Sequence, residues 1–95
     1  MVSGNLIPDK YSLEQNYPNP FNPSTTIRFS VPKEVPVNLS VYNILGEKVK
    51  ELKNEVMKPG YYEIEFDATS VASGVYLYRI KAGDFVQTKK MILLR

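Results

Sequence analysis

Residues 60–67 read GYYEIEFD and carry the clearest strand pattern in the chain. Tyr62, Ile64 and Phe66 occupy every second position, and acidic residues lie between them. Because side chains alternate across a β-strand, this spacing places the three apolar residues on one face and the acids on the other. A strand with one apolar face must bury that face against other elements, so the segment predicts a layered sheet fold.

The same alternation recurs on both sides of this segment. Four further strands are predicted at residues 26–31, 37–42, 75–82 and 85–94. Asn43 to Gly46 predicts a four-residue hairpin loop, Gly83-Asp84 predicts a two-residue turn, and Pro32 and Pro36 close the strand at residues 26–31. Short strands punctuated by proline and glycine predict an all-β, immunoglobulin-like antiparallel β-sandwich of about seven strands. An open barrel is the main competing architecture.

One stretch is ambiguous between helix and strand. Leu45, Val49, Leu52 and Val56 are spaced as on one face of a helix, and the residues between them are good helix formers. No good N-cap residue precedes this stretch, and a strand with one bulge would also bring Val49 and Leu52 to the same face. The pattern alone therefore leaves residues Glu47 to Lys53 open.

The segment Gln15 to Ile27, QNYPNPFNPSTTI, holds three prolines and three asparagines. Each proline fixes φ, removes a backbone donor and biases the preceding residue away from the α region. The segment is therefore predicted to be extended, irregular and stiff. The spacing of Tyr17 and Phe21 predicts that it packs as a lid on the strands that follow.

Composition excludes several functional classes. The chain has 95 residues, net charge +2, no cysteine and no histidine. Without these two residue types there is no Ser-His-Asp triad, no Cys-His pair and no ordinary zinc site, and no glycine-rich phosphate loop is present. The basic residues are scattered, which argues against nucleic acid as a partner, and the longest apolar run is too short to span a membrane. No enzyme activity and no cofactor are predicted.

Three weaker patterns in the sequence have simpler structural explanations. Glu63, Glu65 and Asp67 have the separation of a glycosidase carboxylate pair, but acids on the wet face of a strand more often give solubility and edge protection. Asp67 and Asp84 suggest a calcium site only weakly, because no spaced acidic loop surrounds them. Tyr76 and Tyr78 suggest a stacking platform for sugars or bases, although core packing is the commoner role of such residues.

Several motifs together resemble the C-terminal sorting domain of type IX (Por) secretion substrates, the type A sorting domain family. They are LEQNYPNPFNPSTTIRFSVP, VYNILGEKV, GYYEIEFDA, SGVYLYRI and TKKMILLR, in the family's order. The resemblance implies an immunoglobulin-like sandwich and favours a strand at Glu47 to Lys53. It also implies that residues 13–95 are the sorting domain and residues 1–12 a linker or an artificial start.

The resemblance implies a secretion signal that directs an N-terminal passenger protein through an outer-membrane translocon. The protein would be secreted or held at the surface of a Gram-negative bacterium, after passage through the periplasm, and a sortase-like surface peptidase would cleave upstream of the domain. The chain would act as a monomer. An accessory polysaccharide-binding or adhesion module is the alternative, and it predicts an exposed row of aromatic residues.

The family motifs also nominate residues for recognition by the translocon. Gly60 and Tyr62 match a G-x-Y motif, and the last strand is the candidate for direct contact. The remaining candidates match the GVY motif and the basic terminal motif, and they are Gly74, Val75, Tyr76, Lys89, Lys90, Met91 and Arg95. Because an edge strand can pair with a strand of another protein, the last strand is predicted to offer both backbone pairing and lysine charge.

Overall fold

The computed structural model describes residues 7–95, which form seven β-strands and no helix. The strands are β1 (Ser12–Leu13), β2 (Ser24–Val31), β3 (Val35–Asn43), β4 (Lys48–Met57), β5 (Gly60–Asp67), β6 (Gly74–Ala82) and β7 (Phe85–Leu93). The predicted all-β class and strand number are confirmed. Among residues 7–95 there is accordingly no helix that is long and apolar enough to cross a membrane.

The strands form two antiparallel sheets that pack together as an immunoglobulin-like β-sandwich. The three-stranded sheet has the order β1-β2-β5, and the four-stranded sheet has the order β4-β3-β6-β7. The predicted alternation places its apolar residues between the sheets, where Phe29, Phe66, Leu39, Tyr78 and Ile80 are almost completely buried. Each such side chain stabilises the fold by about 1.5–3 kcal/mol relative to exposure. The sandwich is therefore confirmed over the open barrel.

The stretch that is ambiguous in the sequence lies almost entirely in strand β4, whose pairing with β3 has two irregularities. Its pairing with β3 skips one residue at Leu52 and another at Val49, so each forms a bulge. Both side chains pack against the core, whereas Leu45 and Val56 are 78% and 58% exposed. The helical spacing was therefore misleading, because two bulges in a strand moved two apolar residues to the same face.

Two other expectations about the strands are wrong. Pro36 does not close β2 but lies inside β3, where β4 is its only strand partner because pairing with β6 begins at Val37. Proline is tolerated there because its missing donor would face no neighbouring strand. The alternation of apolar residues 27, 29 and 31 predicts that Ser30 lies on the opposite, wet face of β2. It is only 3% exposed, since β1 pairs with it and its hydroxyl donates to the carbonyl of Lys10 at 3.0 Å.

The two predicted turns are confirmed. Gly46 has φ 85°, and the Oδ1 atom of Asn43 accepts hydrogen bonds from the backbone N–H groups of Leu45 and Glu47 at 2.9 and 3.0 Å. Gly83 has φ 58° while Asp84 has no positive φ, which is the pattern of a two-residue turn with glycine first. This second turn fixes the register of β6 and β7.

Candidate functional site

Strand β7 lies at an edge of the four-stranded sheet and pairs with β6 alone among the strands. The turn makes Ala82 and Phe85 a hydrogen-bonded pair, and in an antiparallel pair such bonding alternates from residue to residue. Every second residue of β7, starting at Val86, therefore directs its backbone N–H and C=O away from β6. Leu94, directly after the strand, continues this pattern. These residues are Val86, Thr88, Lys90, Ile92 and Leu94.

Residues 15–23, named the strap, cover the C-terminal half of this edge. The N–H of Phe21 donates to the carbonyl of Ile92 at 2.9 Å, and the N–H of Leu94 donates to the carbonyl of Phe21 at 3.0 Å. The side chain of Asn19 accepts from the N–H of Ile92 at 3.0 Å, and the side chain of Gln15 donates to the carbonyl of Lys90 at 2.7 Å. The outward backbone groups from the Lys90 carbonyl to the Leu94 N–H are thus satisfied.

The strap is itself anchored to both sheets. Phe21 is 2% exposed and packs against Phe66 with ring centroids 6.0 Å apart, which confirms its predicted role in a lid. Tyr17 is 76% exposed, so the prediction that it packs with Phe21 is wrong. Its backbone pairs with Thr26 instead, and this pairing turns the side chain to solvent. The peptide bonds before Pro18, Pro20 and Pro23 are cis.

Two buried polar residues tie the strap to the core. The side-chain amide of Asn16 donates to the carbonyl of Pro18 at 3.1 Å and to the hydroxyl of Thr25 at 2.9 Å, and its backbone N–H donates to the Tyr78 hydroxyl at 2.8 Å. Tyr78 donates in turn to the carbonyl of Glu14 at 2.7 Å. Burial raises the pKa of Tyr78 to about 12, against the smaller opposing effect of the Asn16 hydrogen bond.

The N-terminal half of the β7 edge is open. No hydrogen bond from residues 7–95 reaches the outward backbone groups of Val86 and Thr88 or the N–H of Lys90. At one end of this segment Tyr11 stacks on Phe85 with ring centroids 5.2 Å apart, and at the other end the Gln15 side chain begins the covered half. The segment Val86–Lys90 is named the open edge.

The candidate residues of β7 differ in what they present to a partner. Lys90 is exposed on the outer face of the sheet, whereas Lys89 is half-buried on the opposite face beside Tyr78. Met91 is fully buried and can act only through packing. The guanidinium of Arg95 donates to the carbonyls of Ala68 and Val71, which holds the end of the chain on the loop after β5.

The GVY candidates lie on β6, next to the C-terminal end of β7. Gly74 has φ 152°, a conformation that side chains disfavour, and it pairs with Leu93. Val75 is 39% exposed on the outer face. Tyr76 is buried opposite Met91, and its hydroxyl donates to the carbonyl of Ala72 at 2.5 Å. Of these three residues, only Val75 presents a large side chain to solvent.

Gly60 and Tyr62 lie at the opposite end of the sandwich. Gly60 pairs with Val31, while Tyr62 stacks on Phe29 at 5.5 Å and donates from its hydroxyl to the carbonyl of Lys58 at 2.5 Å. The nine predicted residues therefore do not form one surface. The sequence reasoning missed the amide side chains of Gln15 and Asn19. The repeated pairing of asparagine with proline was a usable signal for Asn19, and nothing in the sequence pointed to Gln15.

The tyrosine pair and the acidic residues singled out in the sequence have structural roles, in core packing and in contacts at the surface. Tyr76 and Tyr78 are 7% and 0% exposed, which confirms core packing, the commoner role, and rules out a stacking platform. Glu63 forms an exposed ion pair with Arg28 at 2.6 Å, and the pKa of Asp67 is lowered by hydrogen bonds from Thr69. Within residues 7–95 no three His, Cys, Asp or Glu side chains are grouped as a metal site would require.

Comparison with known families gives one finding. The model of a family described as "Secretion system C-terminal sorting domain" matches residues 15–94. The matched region begins with the strap and runs through β2 to β7. It contains the four-stranded sheet, two strands of the three-stranded sheet and the whole of the β7 edge. No curated protein sequence matches the chain.

Proposed function

This chain belongs to the type IX (Por) family of secretion system C-terminal sorting domains, and we propose that it directs an N-terminal passenger protein through the outer-membrane translocon to the cell surface. The family is one of sorting signals rather than of catalysts, and membership implies an attached passenger, secretion machinery and export to the cell surface. The match across residues 15–94 is the observation that carries the proposal.

We propose residues 13–95 as the sorting domain and residues 1–12 as the linker to the passenger. Residues 1–6 lie outside the described part of the chain. Tyr11 stacks on Phe85, and the carbonyl of Lys10 accepts from Ser30, so the last residues of the linker contact the sandwich. We propose that a sortase-like surface peptidase cleaves on the N-terminal side of these contacts, where cleavage leaves them intact.

The proposed route begins in the periplasm of a Gram-negative bacterium, which the chain reaches after export across the inner membrane. The folded sandwich then presents β7 to the outer-membrane translocon, and Lys89 and Lys90 contribute charge to the selection. The surface peptidase removes the domain and joins the passenger to lipopolysaccharide. Buried Met91 and the anchored Arg95 support this role indirectly, because they hold β7 in place.

The test fuses a fluorescent passenger to residues 7–95 and compares a host that has the type IX translocon with one that lacks it. Surface fluorescence is expected in the first host, and retention in the periplasm in the second. Equal amounts of surface fluorescence in both hosts would contradict the proposal. Deleting residues 88–95 is a poor test, since it removes the buried side chains of Met91 and Leu93 and so damages the core.

Point variants test the charge of Lys89 and Lys90 separately from the integrity of the fold. Replacing Lys89 and Lys90 together with glutamine is expected to lower surface fluorescence at least fivefold, because the charge is lost while the strand remains. The matched control replaces Lys48 and Lys50 on β4, at the other edge of the same sheet, and is expected to be exported normally. If both pairs of replacements have the same effect, the lysines of β7 have no special role in selection.

A further inference from the structure

We propose that the open edge of β7 binds an extended, acidic segment of a partner protein, which adds to the four-stranded sheet as a further strand. The proposal rests on the proposed sorting function, and it gives the partner's chemistry and its place of contact. It differs from general recognition of the last strand, because within residues 7–95 the unpaired outward backbone groups of β7 are confined to Val86–Lys90.

The backbone supplies the first argument. Val86 and Thr88 each direct an N–H and a C=O away from β6, and Lys90 directs its N–H the same way. Unpaired groups in a row at a sheet edge form a template for another extended chain. Strand addition uses such groups for affinity and the flanking side chains for specificity.

The strap supplies the second argument, because it limits where a partner can pair. Its contacts occupy the edge from the Lys90 carbonyl to Leu94. Pro18, Pro20 and Pro23 within it have no N–H, so the strap itself is a poor template for a further strand. At the other end the Gly83-Asp84 turn closes the hairpin. A partner therefore fits as one short segment between the turn and Gln15.

Charge supplies the third argument. On the outer face, Lys81 lies beside Val86 and Arg79 lies beside Thr88, and Lys90 follows on β7 itself. Lys89 adds a cation on the inner face. Two acidic residues lie near this group, Asp84 in the turn and Glu14, whose carbonyl accepts from the Tyr78 hydroxyl beside Lys89. Arg79 is held in position by Tyr42, since its guanidinium lies 5.0 Å from the ring centroid and donates to the hydroxyl at 2.9 Å. This excess of positive charge selects an acidic segment.

The other long edges do not offer the same combination. The β4 edge carries both signs, with Lys48 paired to Glu51 at 3.3 Å and Lys53 paired to Glu55 at 3.6 Å. The β5 edge carries Glu63, Glu65 and Asp67, which repel an acidic segment. The open edge of β7 is thus the edge that matches an acidic strand in both backbone and charge.

The binding test uses the full chain labelled with nitrogen-15 and a nine-residue peptide in which glutamate alternates with valine. Addition of the peptide is expected to shift the amide resonances of Val86, Thr88 and Lys90 most strongly, and high salt should weaken binding at least fivefold. A peptide with lysine in place of glutamate is expected to cause no localised shift. Shifts spread over other edges, or equal shifts with both peptides, would overturn the proposal.

Two proline variants link binding to function. Thr88→Pro removes an outward N–H that β6 does not use, and Glu65→Pro is the matched control, because the Glu65 N–H also points away from its neighbouring strand. Thr88→Pro is expected to weaken peptide binding and export at least tenfold, and Glu65→Pro is expected to change neither. Thermal unfolding identifies any loss of fold, and the peptide shifts on the unmodified chain test the site whatever the variants do.

The outcomes separate the two proposals. One outcome is that the peptide shifts resonances at the open edge but fusions to the chain are not exported in any host. The failure of export would then contradict the sorting function, while the peptide shifts would still support the binding site. Translocon-dependent export that Thr88→Pro leaves unchanged would keep the sorting function and refute the open edge as its contact. Loss of both binding and export in Thr88→Pro alone supports both proposals.

Discussion

Tyr78 is the residue through which the strap, the first strand and the four-stranded sheet are joined. Its ring is fully buried on β6, and its hydroxyl accepts from the N–H of Asn16 and donates to the carbonyl of Glu14. A hydroxyl is needed at this position because two backbone groups of another segment would otherwise lack partners in the interior. The sequence favoured core packing for Tyr78, and the tertiary structure adds the two hydrogen bonds of its hydroxyl.

Replacing Tyr78 with phenylalanine tests this role. The ring keeps its packing, but two backbone groups lose their partner, so the free energy of unfolding is expected to fall by about 1–3 kcal/mol. Urea denaturation measures the change. Phe29→Tyr is not a useful control, because it adds a hydroxyl to a buried ring. Tyr17→Phe is the control, because Tyr17 is exposed and the loss of its hydroxyl is expected to leave the free energy of unfolding unchanged. Unchanged stability in Tyr78→Phe would contradict the role assigned to the hydroxyl.

The pKa of Tyr78 predicts a loss of stability in alkali. Burial raises the pKa to about 12 in the folded chain, above its ordinary value in the unfolded chain, so the folded state retains this proton more tightly. The contribution of this group is therefore complete below about pH 10 and is lost as the pH rises from about 10 to 12. Unfolding curves measured across this range should show a steeper loss in the natural chain than in Tyr78→Phe.

Strand β4 shows, at the scale of an element, how a strand imitates a helix in sequence. The bulges at Val49 and Leu52 each add one residue to β4 relative to β3, so the apolar spacing no longer follows a period of two. The residues between the apolar positions are good helix formers, so the composition of this stretch also favours a helix. The partner strand decides the outcome, because β3 offers a continuous row of backbone groups that a helix would leave unpaired.

Leu52 and Val56 of β4 differ in burial, and this difference provides a test of the bulged register. Leu52→Ala is expected to lower the free energy of unfolding by about 1–2 kcal/mol, because the side chain is only partly buried against the core. Val56→Ala is the matched control on the same strand, and its 58% exposed side chain predicts an effect within about 0.5 kcal/mol. Equal effects of the two replacements would contradict the bulged register.

The strap is the second element whose role depends on its partner. Prolines exclude it from the interior of a sheet, yet its amide side chains and the backbone of Phe21 satisfy the edge of β7. It therefore protects part of an edge that would otherwise invite association with other chains. The sequence predicted a lid over the core, and the tertiary structure adds that this lid also covers an edge.

At the scale of the whole molecule, the N-terminal residues 8–13 belong physically to the sandwich. Leu13 is 5% exposed, Ser12 pairs with Ser30, and Tyr11 stacks on Phe85 of the opposite sheet. These contacts close the side of the sandwich where β1 faces the β6–β7 hairpin. The folded unit thus extends to the N-terminal side of the residues matched by the family, which begin at residue 15.

Comparing residues 7–95 with residues 14–95 tests the extent of the folded unit. Removal of buried Leu13 alone is expected to cost about 2–4 kcal/mol, and the loss of the Tyr11 ring adds to that. Thermal and urea unfolding of the two fragments give the difference. If the fragments unfold at the same urea concentration with the same slope, residues 8–13 contribute nothing to the fold.

The sequence by itself determined five of the seven strands, two of the turns and the family. Alternation of apolar residues is a property of each segment, and the glycines at positions 46 and 83 specify their turns locally, so both could be deduced without knowing the neighbours. The motif series from the strap to the last strand identified the sorting domain for the same reason. None of these inferences required the order of strands in a sheet.

Only the tertiary structure decided which strand lies at an edge and which part of that edge is free. Strand order depends on pairing between distant segments, such as β3 with β6, and the alternation within a strand carries no information about it. The strap covers Ile92 and Leu94 while Val86 and Thr88 stay open, because residues 15–23 contact only the C-terminal half of β7 in the folded chain. The site therefore emerges from contacts across more than seventy residues, as between Asn19 and Ile92.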